Sequence, residues 1–168
     1  MKNLEQLPKP IKGQPYPSDC EFKAIEELQR IFKGEHFTYT GSFAIQLMGI
    51  PINRQNGSDL DVIIRSPNEV TLETLNRMKF NDNTHGDTFF KVEVGSVKFD
   101  VFIQKNNTKV EPTINVNGLE VTTLPHIIKF KKSYNRAKDL IQLMQLRENL
   151  FGNLENLIPT CKIQNNYH

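Results

Sequence analysis

The chain is poor in the features that mark whole classes of protein. Its 168 residues include two cysteines, Cys20 and Cys161. They lie far apart and at no metal-ligand spacing, so a cysteine-based metal site is not expected; both read as free thiols of a reducing compartment. No stretch approaches the ~20 apolar residues that a membrane span needs, and the Met1 end lacks the apolar centre of a secretion signal. A cytoplasmic protein with no membrane partner is therefore expected. Charge of one sign is scarce as well: a net formal charge of +2 is too mild to imply a nucleic-acid partner by itself. Apolar residues make up only 38%, which, with plentiful Asn and Gln, predicts a polar surface and long loops. The length still suits one domain with a real core.

What is present is concentrated between residues 37 and 64. Residues 36–40, His-Phe-Thr-Tyr-Thr, are rich in the β-branched and aromatic types that suit a pleated surface. Gly41 allows a tight turn and Ser42 stands where a helix N-cap belongs. Phe43, Ala44, Leu47 and Met48 then recur at helical spacing. Such a helix start offers unpaired N–H groups and a positive dipole end, a seat for phosphate. A second strand opens on Asp59-Leu60-Asp61. Side chains alternate across a strand, so Asp59 and Asp61 share one face while Leu60, Val62 and Ile64 share the other. Two carboxylates about 7 Å apart on one face repel each other, and Mg²⁺ relieves this, typically taking one or two carboxylates plus substrate phosphates. The plain alternative is a pair of solvated strand-end residues after an Asn56-Gly57 turn.

Around this stretch the chain divides readily. Residues 1–17 hold four of the nine prolines, a Pro-rich arm that either wanders or docks on a partner chain. Residues 18–32 predict a helix, with Ser18 and Glu21 at capping-box spacing, a stripe of Phe22, Ile25, Leu28 and Ile31, and Gly34 ending it. Ser66, Pro67 and Glu69 predict another helix start, running to about Met78. His85 lies in a polar loop with no partner at metal-site spacing. Residues 88–94 and 97–103 read as strands joined by Gly95-Ser96. Val97, Phe99, Val101 and Ile103 share one face of the second; Asp100 points the other way, beside Lys98 and Phe102. A carboxylate in such a strand needs a partner. Lys91 or Lys98 would serve structurally; alternatively Asp100 joins Asp59 and Asp61 in a triad. Residues 113–116 and 119–121 flank Asn117-Gly118, a strong hairpin signal. From Leu124 the pattern is helical and carries Lys129, Lys131, Lys132, Arg136 and Lys138 within ten positions. That run is either a solvated face or a polyphosphate cradle.

A Gly-Ser opening a helix, followed by Asp-x-Asp on the next strand, resembles the nucleotidyltransferase superfamily of the DNA polymerase β-like fold. The nearest likeness is to the minimal and abortive-infection type nucleotidyltransferases, with the toxin–antitoxin setting of the latter. The run Val94-Gly-Ser-Val-Lys-Phe-Asp-Val-Phe-Ile103 is similar to the superfamily's third-carboxylate strand. The lysine helix followed by Arg136-Ala137-Lys138-Asp139 is similar to a segment of the abortive-infection type. The resemblance runs from about Phe37 to Leu146. It departs in the connection between Ser42 and Asp59, whose sixteen residues exceed those of the most compact members.

The resemblance implies an α+β fold, a small mixed β-sheet packed by helices on one face, with a C-terminal helical extension. The domain would span 18–150, with its core at 35–121, its extension at 124–150 and a tail at 151–168. It implies that Asp59, Asp61 and Asp100 hold two Mg²⁺ ions ~3.5–4 Å apart, with Asp100 taking the acceptor's proton. Gly41, Ser42, Lys129, Lys132 and Arg136 would bind the nucleoside triphosphate; Asp139 is expected as a helix-starting carboxylate or ion-pair partner. A nucleotide would pass to an acceptor hydroxyl on an RNA, a protein or a small molecule, and the acceptor would meet the C-terminal helices or a partner chain. The rival is a catalytically silent module of the same fold with a structural or interaction role, since fold does not imply function.

Overall fold

The computed structural model describes residues 17–52, 54, 59–80 and 88–157, with side chains through residue 150. The 56–57 turn, the loop holding His85, Cys161 and nearly all of the Pro-rich arm lie outside the described residues. The first helix, α1 (Asp19–Ile31), begins as its sequence predicts: the Ser18 hydroxyl accepts from the Glu21 amide at 3.3 Å and Glu21 accepts from the Ser18 amide at 3.2 Å. These reciprocal bonds satisfy two of the orphan donors of a helix start. Phe22, Ala24, Ile25 and Leu28 are buried, and Phe32 closes the stripe. Ile31, expected in that stripe, is 38% exposed, because the chain turns away at the Phe32 cap one residue later.

Strand β1 (His36–Thr40) runs directly into α2 (Gly41–Leu47), and β2 (Leu60–Arg65) returns antiparallel to β1. Helix α3 (Glu69–Met78) leads to a hairpin of β3 (Phe89–Val94) and β4 (Val97–Gln104), then to a second hairpin of β5 (Thr113–Val116) and β6 (Leu119–Thr122). Asn117 and Gly118 take φ values of 51° and 93°, as a two-residue turn of the hairpin type requires. The six strands form one mixed sheet in the order β3-β4-β2-β1-β6-β5, with β2–β4 and β1–β6 parallel.

The alternation of the strands decides where the core sits. Tyr39, Leu60, Val62, Ile64, Phe99, Val101 and Val121 are fully buried on one face, each apolar side chain contributing about 1.5–3 kcal/mol. Helices α1, α2 and α3 lie against this side, and the buried Tyr39 hydroxyl accepts from Gln29 of α1 at 2.8 Å. The fold is thus α+β, a mixed sheet with helices covering one face.

One element boundary differs from expectation. Ser66 does not cap α3: it has a left-handed φ of 46°, and its amide still donates to Gln104 in the sheet at 2.8 Å. Because Ser66 is still bonded to the sheet, the cap falls to Asn68, whose side chain accepts from the Thr71 amide at 2.8 Å. Glu35, not Glu69, completes the corner by accepting from the Asn68 amide and the Thr71 hydroxyl. The C-terminal extension consists of two helices, α4 (Leu124–Tyr134) and α5 (Ala137–Leu157). Asn135, left-handed at φ 50°, ends α4, a conformation that Asn tolerates better than most residues.

Candidate active site

The polar face of the sheet gathers the carboxylates. Asp61 of β2 and Asp100 of β4 are register partners on adjacent parallel strands, so they share a face, with Asp59 two residues before Asp61 on the same side. Lys91 of β3 is in turn the register partner of Asp100. Its Nζ donates to Asp100 Oδ1 at 2.8 Å and to Asp59 Oδ2 at 3.1 Å. Lys98, the other partner weighed for Asp100, lies over the Phe80 ring instead. Among the described residues, no three metal-ligating side chains stand close enough together to enclose an ion. The cation between Asp59 and Asp100 is the Lys91 ammonium.

Asp61 is held differently. On the β1 side its partner is Thr40, and the chain turns there into α2. Gly41 has φ +68°, and a Cβ added to it would lie 2.2 Å from Asp61 Oδ2. The glycine is required twice, for backbone conformation and for room beside the carboxylate. Burial, then the charge of Asp100, pushes the Asp61 carboxyl up to about 7, against the pull of Lys131 and Lys138. Burial also raises Asp100, opposed by its hydrogen bond from Lys91. For Lys91, burial disfavours the charged form, but the bonds to Asp100 and Asp59 outweigh it and raise the ammonium.

Next to Asp61 a cleft of about 340 Å³ opens between this face of the sheet and α4. Ile63, Phe102, Phe130 and Tyr134 supply apolar and aromatic wall; Gly41, Lys131, Arg136 and Asp139 line the polar end. The cations therefore sort unevenly. Lys129 and Lys132 are exposed on α4 and do not line the cleft, whereas Lys131 is 6% exposed and does. Lys131 donates to Gln142 at 2.5 Å and to Ser42 at 3.3 Å, and stands 3.6 Å from Asp139. Burial lowers it, with Asp139 and Asp61 working against that. Arg136 donates through its side chain to both Asp139 oxygens, at 2.7 and 3.2 Å, and lies over the Tyr134 ring. Asp139 is fully buried; burial alone would raise it, but the Arg136 bonds and Lys131 hold it below the usual carboxylate range. It is the helix-starting, ion-paired residue its position suggests.

Ser42 occupies the second position of α2 rather than its cap; Thr40 is the cap residue and makes no side-chain capping bond. The Ser42 hydroxyl donates to Gln142 of α5 at 2.8 Å, tying the helix start to the C-terminal helices. The inward place of Lys131, in contrast to the exposed Lys129 and Lys132, has a signal in the sequence. Leu124, Ile127 and Lys131 fall at i, i+3 and i+7 on one face of α4, which carries Lys131 inward with the apolar residues.

No protein-family model matches the chain, and no curated protein matches it significantly. Among solved structures, the chain is similar to a crystal structure of a candidate nucleotidyltransferase from Thermotoga maritima. The identity is 16%, the TM-score 0.44, and the match covers 84% of this chain and 97% of the other.

Proposed function

We propose that the chain is a nucleotidyltransferase, moving a nucleotide from a nucleoside triphosphate to an acceptor hydroxyl on an RNA, a protein or a small molecule. One observation carries this reading: Asp61 lines a cleft together with Gly41, Lys131 and Arg136, and shares its sheet face with Asp100 and Asp59. The donor chemistry suits Mg²⁺, a hard cation that prefers carboxylate oxygen, and the Lys91 ammonium marks the same place as one that takes positive charge. Asp59, Asp61 and Asp100 would hold the metal. Bound there, Mg²⁺ would neutralise charge on the triphosphate as its α-phosphorus changes partners. Asp100, raised by burial, is suited to accept the acceptor's proton. The backbone amides of Gly41 and Ser42 would serve as phosphate donors, and Lys131 and Arg136, which line the cleft along with Lys109, would take the part expected of Lys129 and Lys132.

A second reading, the silent module, is favoured by Lys91, which is already ion-paired with two of the three carboxylates. Thermal melting with each of the four nucleoside triphosphates plus Mg²⁺ separates the two. A ligand at a hundredfold excess over its Kd stabilises the fold by about 2.7 kcal/mol, and here the shift should need the metal. Transfer of α-labelled nucleotide would complete the case; an unmoved melting temperature with all four favours the silent module.

A further inference from the structure

Lys91 occupies an unusual position. It projects from the edge strand β3 onto the polar face of the sheet, and one Nζ contacts a carboxylate oxygen from β4 and another from the start of β2. Asp59 and Asp100 are therefore close enough for a single cation to bridge them. The Lys91 stem is fixed by its strand, and its ammonium lies 5.6 Å from the centre of the Phe89 ring, a contact that favours the charged form. All three side chains keep some exposure, 26% for Lys91, 30% for Asp59 and 19% for Asp100. The bridge is thus reachable from solvent and held by ion pairs of the modest kind.

We infer that Lys91 is a tethered counter-cation standing in a divalent-metal position, so that metal binding at Asp59 and Asp100 requires Lys91 to swing out. The inference rests on the proposed carboxylate metal site. A Mg²⁺ or Mn²⁺ ion needs carboxylate oxygens at short range in a near-octahedral shell, and an ammonium hydrogen-bonded to the same oxygens fills that volume and repels the incoming charge. Lys91 would offset part of the negative charge of the apo site and set a threshold of metal concentration, or of metal–triphosphate complex, below which the site stays closed. Its long, unbranched stem lets it leave without moving the strand, and the solvent next to β3 receives it.

Binding of Mn²⁺ alone to the full chain, followed by the loss of free Mn²⁺ signal in electron paramagnetic resonance, tests this without any turnover. Lys91→Met should tighten Mn²⁺ binding by about tenfold, the effect of removing one competing interaction worth one pKa-sized step. Lys91→Arg, which keeps the charge, should not. Lys98→Met, on the same hairpin, should match the wild type. Equal or weaker Mn²⁺ binding by a folded Lys91→Met protein overturns the counter-cation role while leaving the metal site intact. Absence of Mn²⁺ binding in every variant overturns both the role and the metal reading. Should Lys91→Met fail to fold, amine acetylation of the wild type read by mass spectrometry decides. Lys91 should label faster once Mn²⁺ is saturating, and an unchanged rate at saturation counts against its displacement.

Discussion

The Gly41 Cα faces the carboxylate of Asp61 so closely that a methyl group placed on it would sit 2.2 Å from Oδ2. This contact joins the turn out of β1 to the acid of β2, and it makes the turn and the acid one unit. Gly41→Ala should therefore cost more than backbone strain alone. Gly34 supplies the reference, since its φ is +91° and nothing lies within 4 Å of an added Cβ. Gly34→Ala should lose about 1–2 kcal/mol from the left-handed conformation. Gly41→Ala should lose that and more, and adding Asp61→Ala should recover the excess, with a coupling of about 0.5–3 kcal/mol. Urea denaturation of the wild type, Gly34→Ala, Gly41→Ala, Asp61→Ala and the Gly41→Ala/Asp61→Ala double variant measures it. Equal costs at positions 34 and 41 would remove the contact from consideration.

Asp139 anchors α5 to the loop after α4 and meets Lys131 from the cleft side. Its folded-state pKa is depressed, so its stabilisation is present above the unfolded value of about 4 and is lost as pH falls through the lower folded value. Asp139→Asn should destabilise by about 3–5 kcal/mol near neutrality, because it leaves the buried Lys131 without its counter-charge. The gap between mutant and wild type should hold from pH 7 down to about 5 and close below pH 4. A gap that widened on acidification would contradict the ion-pair assignment.

The lysines of α4 offer a cleaner contrast. Lys129→Ala and Lys132→Ala change exposed side chains and should stay within about 0.5 kcal/mol of wild type. They should also leave triphosphate-induced stabilisation unchanged. Lys131→Met removes the donor that reaches Gln142, Ser42 and Asp139, and should cost stability as well as weaken that stabilisation. Calorimetric melting with and without nucleoside triphosphate and Mg²⁺ reads both effects. A triphosphate response lost in Lys129→Ala but kept in Lys131→Met would return the role to the exposed residues.

What the sequence made legible was local or periodic. The period-two pattern around Asp100 and the Gly95-Ser96 turn were enough to place that carboxylate on the polar face, and Asn117-Gly118 announced its hairpin. The capping box at Ser18 was readable because both of its partners lie within three residues. The start of α3 was not, since the group completing it is Glu35, more than thirty residues away. Ser42 misled for a related reason: a serine after a glycine looks like a cap, but its hydroxyl is claimed by Gln142, one hundred residues on. Lys91 could be named as a partner for Asp100, yet its second bond, to Asp59, depends on the parallel pairing of β2 with β4.

Asp61 separates chemistry from scaffolding. A structural acid at this position would need a buried cation such as Arg54, but Arg54 donates to Glu21 at 2.6 Å and to Gln46 at 3.0 Å. Asp61 instead carries a pKa raised to about 7 by burial and by Asp100. For a raised carboxyl the sign is opposite to that of Asp139: the native state holds its proton more tightly, so stability falls as pH climbs from about 4 to about 7. The slope from this one group is about 1.4 kcal/mol per pH unit in that window. Asp61→Asn removes the slope. Without metal, the variant should equal the wild type near pH 4 and become progressively more stable than it up to pH 7, while nucleotide transfer collapses. Lost activity with a gain in stability marks a site strained for function. Urea denaturation of both proteins from pH 4 to pH 8, without divalent ions, is the measurement. An Asn variant that is less stable than wild type across the whole range would show Asp61 to be a scaffold residue.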